Sequence, residues 1–152
     1  MASVLLIDDD ALVRATVAMQ LELGGHTVAA VADGGAGLKA FDSGTYDAVV
    51  TDIIMPGIEG VETIRRLRQM DPAVVIVAMT GGPISSFREQ PRTGSEPLRR
   101  QRPDYLRMVA QLGATETIRK PFTGPALLAK ISEALLARAG VALSGGAVDN
   151  TS

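Results

Sequence analysis

The 152-residue chain contains no cysteine and no tryptophan, a single histidine, and aromatics at only 3% of its residues. Without cysteine there can be no disulfide framework, no thiolate metal site and no cysteine nucleophile, and a reducing cytoplasm is the expected home. The one histidine, His26, follows Gly24-Gly25 and reads as a turn residue. Long apolar runs are missing too. Nothing approaches the roughly 20 residues of a membrane span, and no basic segment leads into Val4-Leu5-Leu6-Ile7. The chain therefore reads as soluble, not exported and without a membrane partner. A net charge of −2 argues against a general polyanion binder, and nucleic acid is not expected as a partner.

What is present is a rhythm of short apolar runs and longer stretches of helical period. Strands are expected at Val4 to Ile7, Thr27 to Val31, Ala48 to Thr51, Val74 to Met79, and at Thr117 with Ile118. Runs this apolar suit parallel strands covered by helices on both faces, so the fold class is α/β, a three-layer sandwich in one domain. Helices are expected from Asp10, an N-cap, to Gly24-Gly25, then at Ala36 to Phe41, Val61 to Met70, Tyr105 to Leu112 and Pro125 to Ala137. Two segments lack a period. Gly81 to Pro103 is rich in Gly, Pro, Ser and Arg and reads as a loop inserted after the fourth strand. Residues 140–152 form a small-residue tail, expected to be disordered.

In open parallel sheets, ligands bind beyond the carboxyl ends of the strands. Here the first run ends in Asp8-Asp9-Asp10, the third in Thr51-Asp52, the fourth in Thr80-Gly81 and the fifth in Arg119-Lys120-Pro121. Taken singly, Asp10 is an N-cap, Thr80 a turn residue and Lys120 a surface charge; their joint placement carries the argument. Carboxylates gathered at one edge repel unless a cation joins them, and Mg2+ (or Mn2+) suits an open carboxylate cluster that must also meet phosphate oxygens.

Asp8-Asp9, Thr51-Asp52-Ile53-Ile54-Met55-Pro56-Gly57, Met79-Thr80-Gly81 and Lys120-Pro121-Phe122, in this order at these strand ends, resemble the response-regulator receiver domain of two-component signalling. The resemblance covers about Ser3 to Ala139 apart from the inserted loop, so a receiver domain is expected over residues 1–139 with its insert at about 81–103. It implies a flavodoxin-like (βα)5 fold with a doubly wound five-stranded parallel sheet of order 2-1-3-4-5. It further implies Asp52 as phosphoacceptor, Asp8 and Asp9 with Asp52 as metal ligands, and the Ile54 backbone carbonyl as another. Thr80 is similar to the family's switch hydroxyl, Lys120 to the lysine that pairs with the phosphoryl group, and Gly60 falls at a tight turn into the third helix. The Lys120-Pro121 bond is cis in such domains. The implied partners are a histidine kinase or histidine phosphotransfer protein and a downstream protein effector. A homodimer through the fourth helix, fifth strand and fifth helix is compatible with the pattern.

Two features depart from that pattern. Thr117 stands where many receivers carry an aromatic that rotates inward on activation, so that rotamer switch cannot operate here. The segment from Gly81 to Arg107 carries a local charge of +3 against −5 elsewhere, a basic flap beside the phosphorylation site. An apolar Ile54 cannot orient a hydrolytic water, which implies slow loss of phosphate. Three other classes compete. A phosphorylation-independent receiver-like adaptor is favoured by Thr117 and the insert. A metal-dependent phosphohydrolase would need further acids late in the chain, and none follows Lys120 in the expected pattern. A flavodoxin-like cofactor binder would need a phosphate cradle where the chain places acids. The expected activity is self-phosphorylation and self-dephosphorylation only, not enzymatic turnover.

Overall fold

In a computed structural model, residues 2–53, 59–80 and 111–151 are described, with the backbone alone at 59 and 141–151. Five strands, β1 (Ser3–Ile7), β2 (Thr27–Val31), β3 (Ala48–Asp52), β4 (Val75–Thr80) and β5 (Glu116–Arg119), pair in parallel in the order β2-β1-β3-β4-β5. Among the described residues, four helices with both ends placed accompany them: α1 (Ala11–Leu23), α2 (Gly34–Ser43), α3 (Glu59–Met70) and, after β5, α4 (Gly124–Thr151). The doubly wound, flavodoxin-like order expected from the resemblance is the order found.

Alternation along the central strands builds two cores. Val4, Leu6, Val50, Val77 and Met79 face α1 and α4, where Val17, Leu21, Leu127 and Ile131 close over them. Leu5, Ile7, Val49, Ile76 and Ala78 face the other way, toward Ile64 and Leu67 of α3. Strands covered on both sides have no polar face to show, hence their continuous apolar runs. β2 and β5 are the edges and are less apolar for that reason, which is why only Thr117 and Ile118 of β5 stand out in the sequence.

The start and stop of α1 follow the sequence signals closely. The Asp10 carboxylate accepts from the backbone N–H groups of Leu12 and Val13, satisfying two donors that the helix itself cannot. At the other end, Gly25 takes φ 94°, a left-handed conformation open to glycine, while the N–H groups of Gly25 and His26 donate to the Glu22 and Leu21 carbonyls. That reciprocal pair is a Schellman stop.

The last helix corrects one expectation. The apolar pattern ends it at Ala137 and leaves 140–152 disordered, but the backbone stays helical to Thr151, 28 residues in all. No proline follows Pro125, and each added residue completes one more backbone hydrogen bond, so the alanine-containing stretch propagates the helix despite Gly145-Gly146. The insert at 81–103 lies outside the described residues. Of the helix expected at Tyr105 to Leu112, only Gln111 and Leu112 are described, and both are helical. Among the described residues no helix is long and apolar enough to cross a membrane.

Candidate functional site

All five strands point their carboxyl ends the same way, so the residues that follow β1, β3, β4 and β5 gather at one edge. The register fixes their neighbours: Ile7 lies beside Thr51, Asp52 beside Met79 and Thr80 beside Arg119. One residue past β1, Asp8 is fully buried, and Asp52 at the end of β3 is nearly so. Asp9 is exposed. Carboxylate oxygens of Asp8, Asp9 and Asp52 all lie within 4.8 Å of one another.

Two buried acids this close to a third require a compensating cation. Lys120 supplies it, with Nζ donating to Asp52 Oδ2 at 3.0 Å and to Asp8 Oδ2 at 3.1 Å. Burial alone would lower the Lys120 pKa, but the charges and hydrogen bonds of Asp52 and Asp8 outweigh it and hold the ammonium above its ordinary value. The lysine is aimed by its backbone, whose N–H donates to the Thr80 carbonyl at 2.8 Å and so extends the β4–β5 ladder by one residue. The following bond, Lys120-Pro121, is cis.

Thr80 sits at the end of β4, nearly buried, and its Oγ1 donates to the Ile118 carbonyl at 3.4 Å, a long bond. Thr117 lies opposite Ala78 on β5 and is half-buried. Gly60, in the first turn of α3, is pressed against the loop that leaves β3: a Cβ there would stand 2.5 Å from Ile53 Cα and 2.6 Å from Ile53 O. Only glycine allows that approach. Ile54 lies outside the described residues.

The sequence reading missed Arg14. Its Nη1 donates to the backbone carbonyl of Asp8 at 2.8 Å. One signal was available, since Arg14 is the sole basic residue of α1 and follows the acid run by four positions.

Comparison with known proteins gives the family. A family model described as the response regulator receiver domain matches residues 4–90, more than half of the chain. The chain belongs to that family and carries a response regulator receiver domain of two-component signalling. It is 33% identical over 144 residues to the transcriptional regulatory protein CseB of Streptomyces coelicolor, covering 93% of this chain and 52% of that protein. A receiver domain protein from Clostridium thermocellum shares the fold at TM-score 0.74 and 24% identity, covering 93% of this chain and 99% of that one. TrrA of Thermotoga maritima, solved in complex with Mg(2+)-BeF, matches at TM-score 0.68 and 26% identity, over 88% of this chain and 99% of that one. The chain spans between 30% and 55% of the length of curated relatives named as transcriptional regulatory proteins. Relatives so named give no support to the expectation that nucleic acid is absent from the partners.

Proposed function

We propose that residues 1–139 act as a phosphoacceptor switch in the cytoplasm, taking a phosphoryl group on Asp52 from the phosphohistidine of a histidine kinase or histidine phosphotransfer protein. The observation that carries this reading is the bridge from Lys120 to both Asp52 and Asp8 inside a cluster of three carboxylates. Hard oxygen donors, two buried and one exposed, fit a hard divalent cation with room for phosphate oxygens, whereas a closed cage would need more protein ligands. Asp8, Asp9 and Asp52 would hold Mg2+ or Mn2+, with the Ile54 carbonyl as a further ligand. Bound there, the cation supplies positive charge to the carboxylates and the phosphoryl oxygens. The Mg(2+)-BeF complex of TrrA supports the same assignment.

In the transfer, an Asp52 carboxylate oxygen bonds to phosphorus, the phosphorus–nitrogen bond of the donor breaks, and the imidazole leaves. The product is an aspartyl phosphate. Little covalent work falls to the protein, so positioning and charge decide the rate. Lys120 gives up its Asp52 contact in favour of the new phosphoryl oxygens. Thr80, whose hydroxyl makes only a long bond to the Ile118 carbonyl among the described residues, turns that hydroxyl toward them. That turn moves the end of β4 and biases the surface formed by the segment before β5, β5 itself and α4, where a downstream effector or a second copy of the chain docks. With Thr117 in place of an aromatic, Thr80 and the β4–β5 backbone carry the signal alone. The chain modifies itself and is no turnover enzyme.

Intact mass after incubation with acetyl phosphate and Mg2+ tests the reading. One phosphoryl group is expected on the wild type and none on Asp52→Asn or in the presence of a chelator. Equal incorporation by Asp52→Asn would overturn the assignment.

A further inference from the structure

Arg14 reaches the backbone of Asp8, the first acid of the cluster, yet forms an ion pair with no carboxylate of that cluster among the described residues. Its Nη1 goes instead to a neutral acceptor, the Asp8 carbonyl, at 2.8 Å. That oxygen belongs to the peptide joining Asp8 to Asp9. The rest of Asp8 is equally fixed. Its N–H donates to the Val31 carbonyl at 3.2 Å, its Oδ1 accepts from the Asp10 N–H at 2.9 Å, and its Oδ2 accepts from Lys120. Asp9 differs: its carboxylate is exposed and has no hydrogen bond among the described residues. The aim of Asp9 into the cluster is therefore set by its backbone, and the peptide just before it is the one that Arg14 holds. Arg14 in turn is carried by the first turns of α1, which Asp10 caps.

We propose that Arg14 is a positioning residue for the divalent cation, acting through the Asp8–Asp9 peptide to aim the Asp9 carboxylate. The inference rests on the metal-assisted reading above and adds to it a residue that touches neither cation nor phosphoryl group. Because Mg2+ tolerates little departure from its short, octahedral contacts, a ligand whose only guide is its backbone needs that backbone pinned. Spending the guanidinium on a carbonyl also leaves every carboxylate of the cluster free of it.

The sign of the effect separates positioning from charge. A cation acting only by its charge repels Mg2+, so removing it would tighten binding; removing a positioning group weakens it. The test is calorimetric titration of Mg2+ into the full chain as wild type, Arg14→Ala and Arg14→Lys, beside the metal-free melting temperature of each. Arg14→Ala is expected to raise the Mg2+ Kd about tenfold, the low end of the range for groups that orient metal ligands. Arg14→Lys, which keeps a donor, recovers a large part of that loss, and phosphorylation of Arg14→Ala returns to the wild-type rate at saturating Mg2+. An unchanged or lower Kd in Arg14→Ala, a fall in melting temperature alone, or no recovery in Arg14→Lys would each overturn the proposal. Failure of the wild type itself to bind Mg2+ would overturn the metal-assisted reading and this inference with it.

Discussion

Lys120 Nζ lies 3.0 Å from Asp52 Oδ2, joining the end of β5 to the end of β3 across the intervening β4. With the second contact to Asp8, one ammonium balances two buried carboxylates. Removing it takes from both acids the ammonium they share. Lys120→Met is therefore expected to lose roughly 3–5 kcal/mol of stability at pH 7 without metal, the range for removing one partner of a buried ion pair, and to regain part of it on adding Mg2+. Asp52→Asn, which removes one member of a repelling set while Asp8 keeps its lysine, should hold or gain stability. Urea unfolding of both variants, with and without Mg2+, checks the pair; a Lys120→Met variant as stable as wild type would contradict the account.

His26 gives a pH dependence at the opposite end of the molecule. Burial holds its imidazole below the ordinary value of 6.5, and the ring accepts the Ala2 N–H at Nδ1, a bond that only an unprotonated Nδ1 can make. A lowered folded-state pKa means that the unfolded chain binds more protons between that pKa and 6.5. This contribution to stability is complete above pH 6.5 and is lost as the pH falls through the window down to the folded-state value. The urea midpoint should drop between pH 7 and pH 5, and the drop should be smaller in His26→Gln. Parallel curves for the two proteins would remove His26 from the explanation.

Gly60 makes a packing prediction with a functional consequence. A Cβ at 2.5 Å from Ile53 Cα cannot be accommodated by a flexible side-chain end, since the obstacle is backbone. Gly60→Ala should cost about 1–3 kcal/mol, as overpacking does, and should slow phosphorylation because Ile53 follows Asp52 directly. A melting temperature and an acetyl phosphate time course equal to wild type would show that α3 can shift freely.

The sheet and most of the site were legible in the sequence because each depends on short-range pattern. Val4 to Ile7, Ala48 to Thr51 and Val74 to Met79 announce buried strands, and the acids, Thr80 and Lys120 stand directly after them. The N-cap role of Asp10 needed only its neighbours. What was not legible depends on the phase of one element against another. That Arg14 reaches the Asp8 carbonyl requires the rotation of α1 about its axis. That Lys120 contacts Asp8 as well as Asp52 requires the stagger of three strands. The same holds for Arg68 near the end of α3, whose guanidinium donates to the Gly113 carbonyl at 2.6 Å and ties α3 to the approach to β5. Helix α4 was underestimated for a different reason, because loss of an apolar stripe marks the end of burial and not the end of backbone hydrogen bonding.

The most direct test of the central claim locates the phosphoryl group. After incubation with acetyl phosphate and Mg2+, borohydride reduction converts an aspartyl phosphate to homoserine, and peptide mass mapping reads the position. The account predicts homoserine at position 52 and nowhere else, dependent on Mg2+. Reduction at Asp8, Asp9 or another acid, or phosphoryl incorporation that resists borohydride, would contradict it.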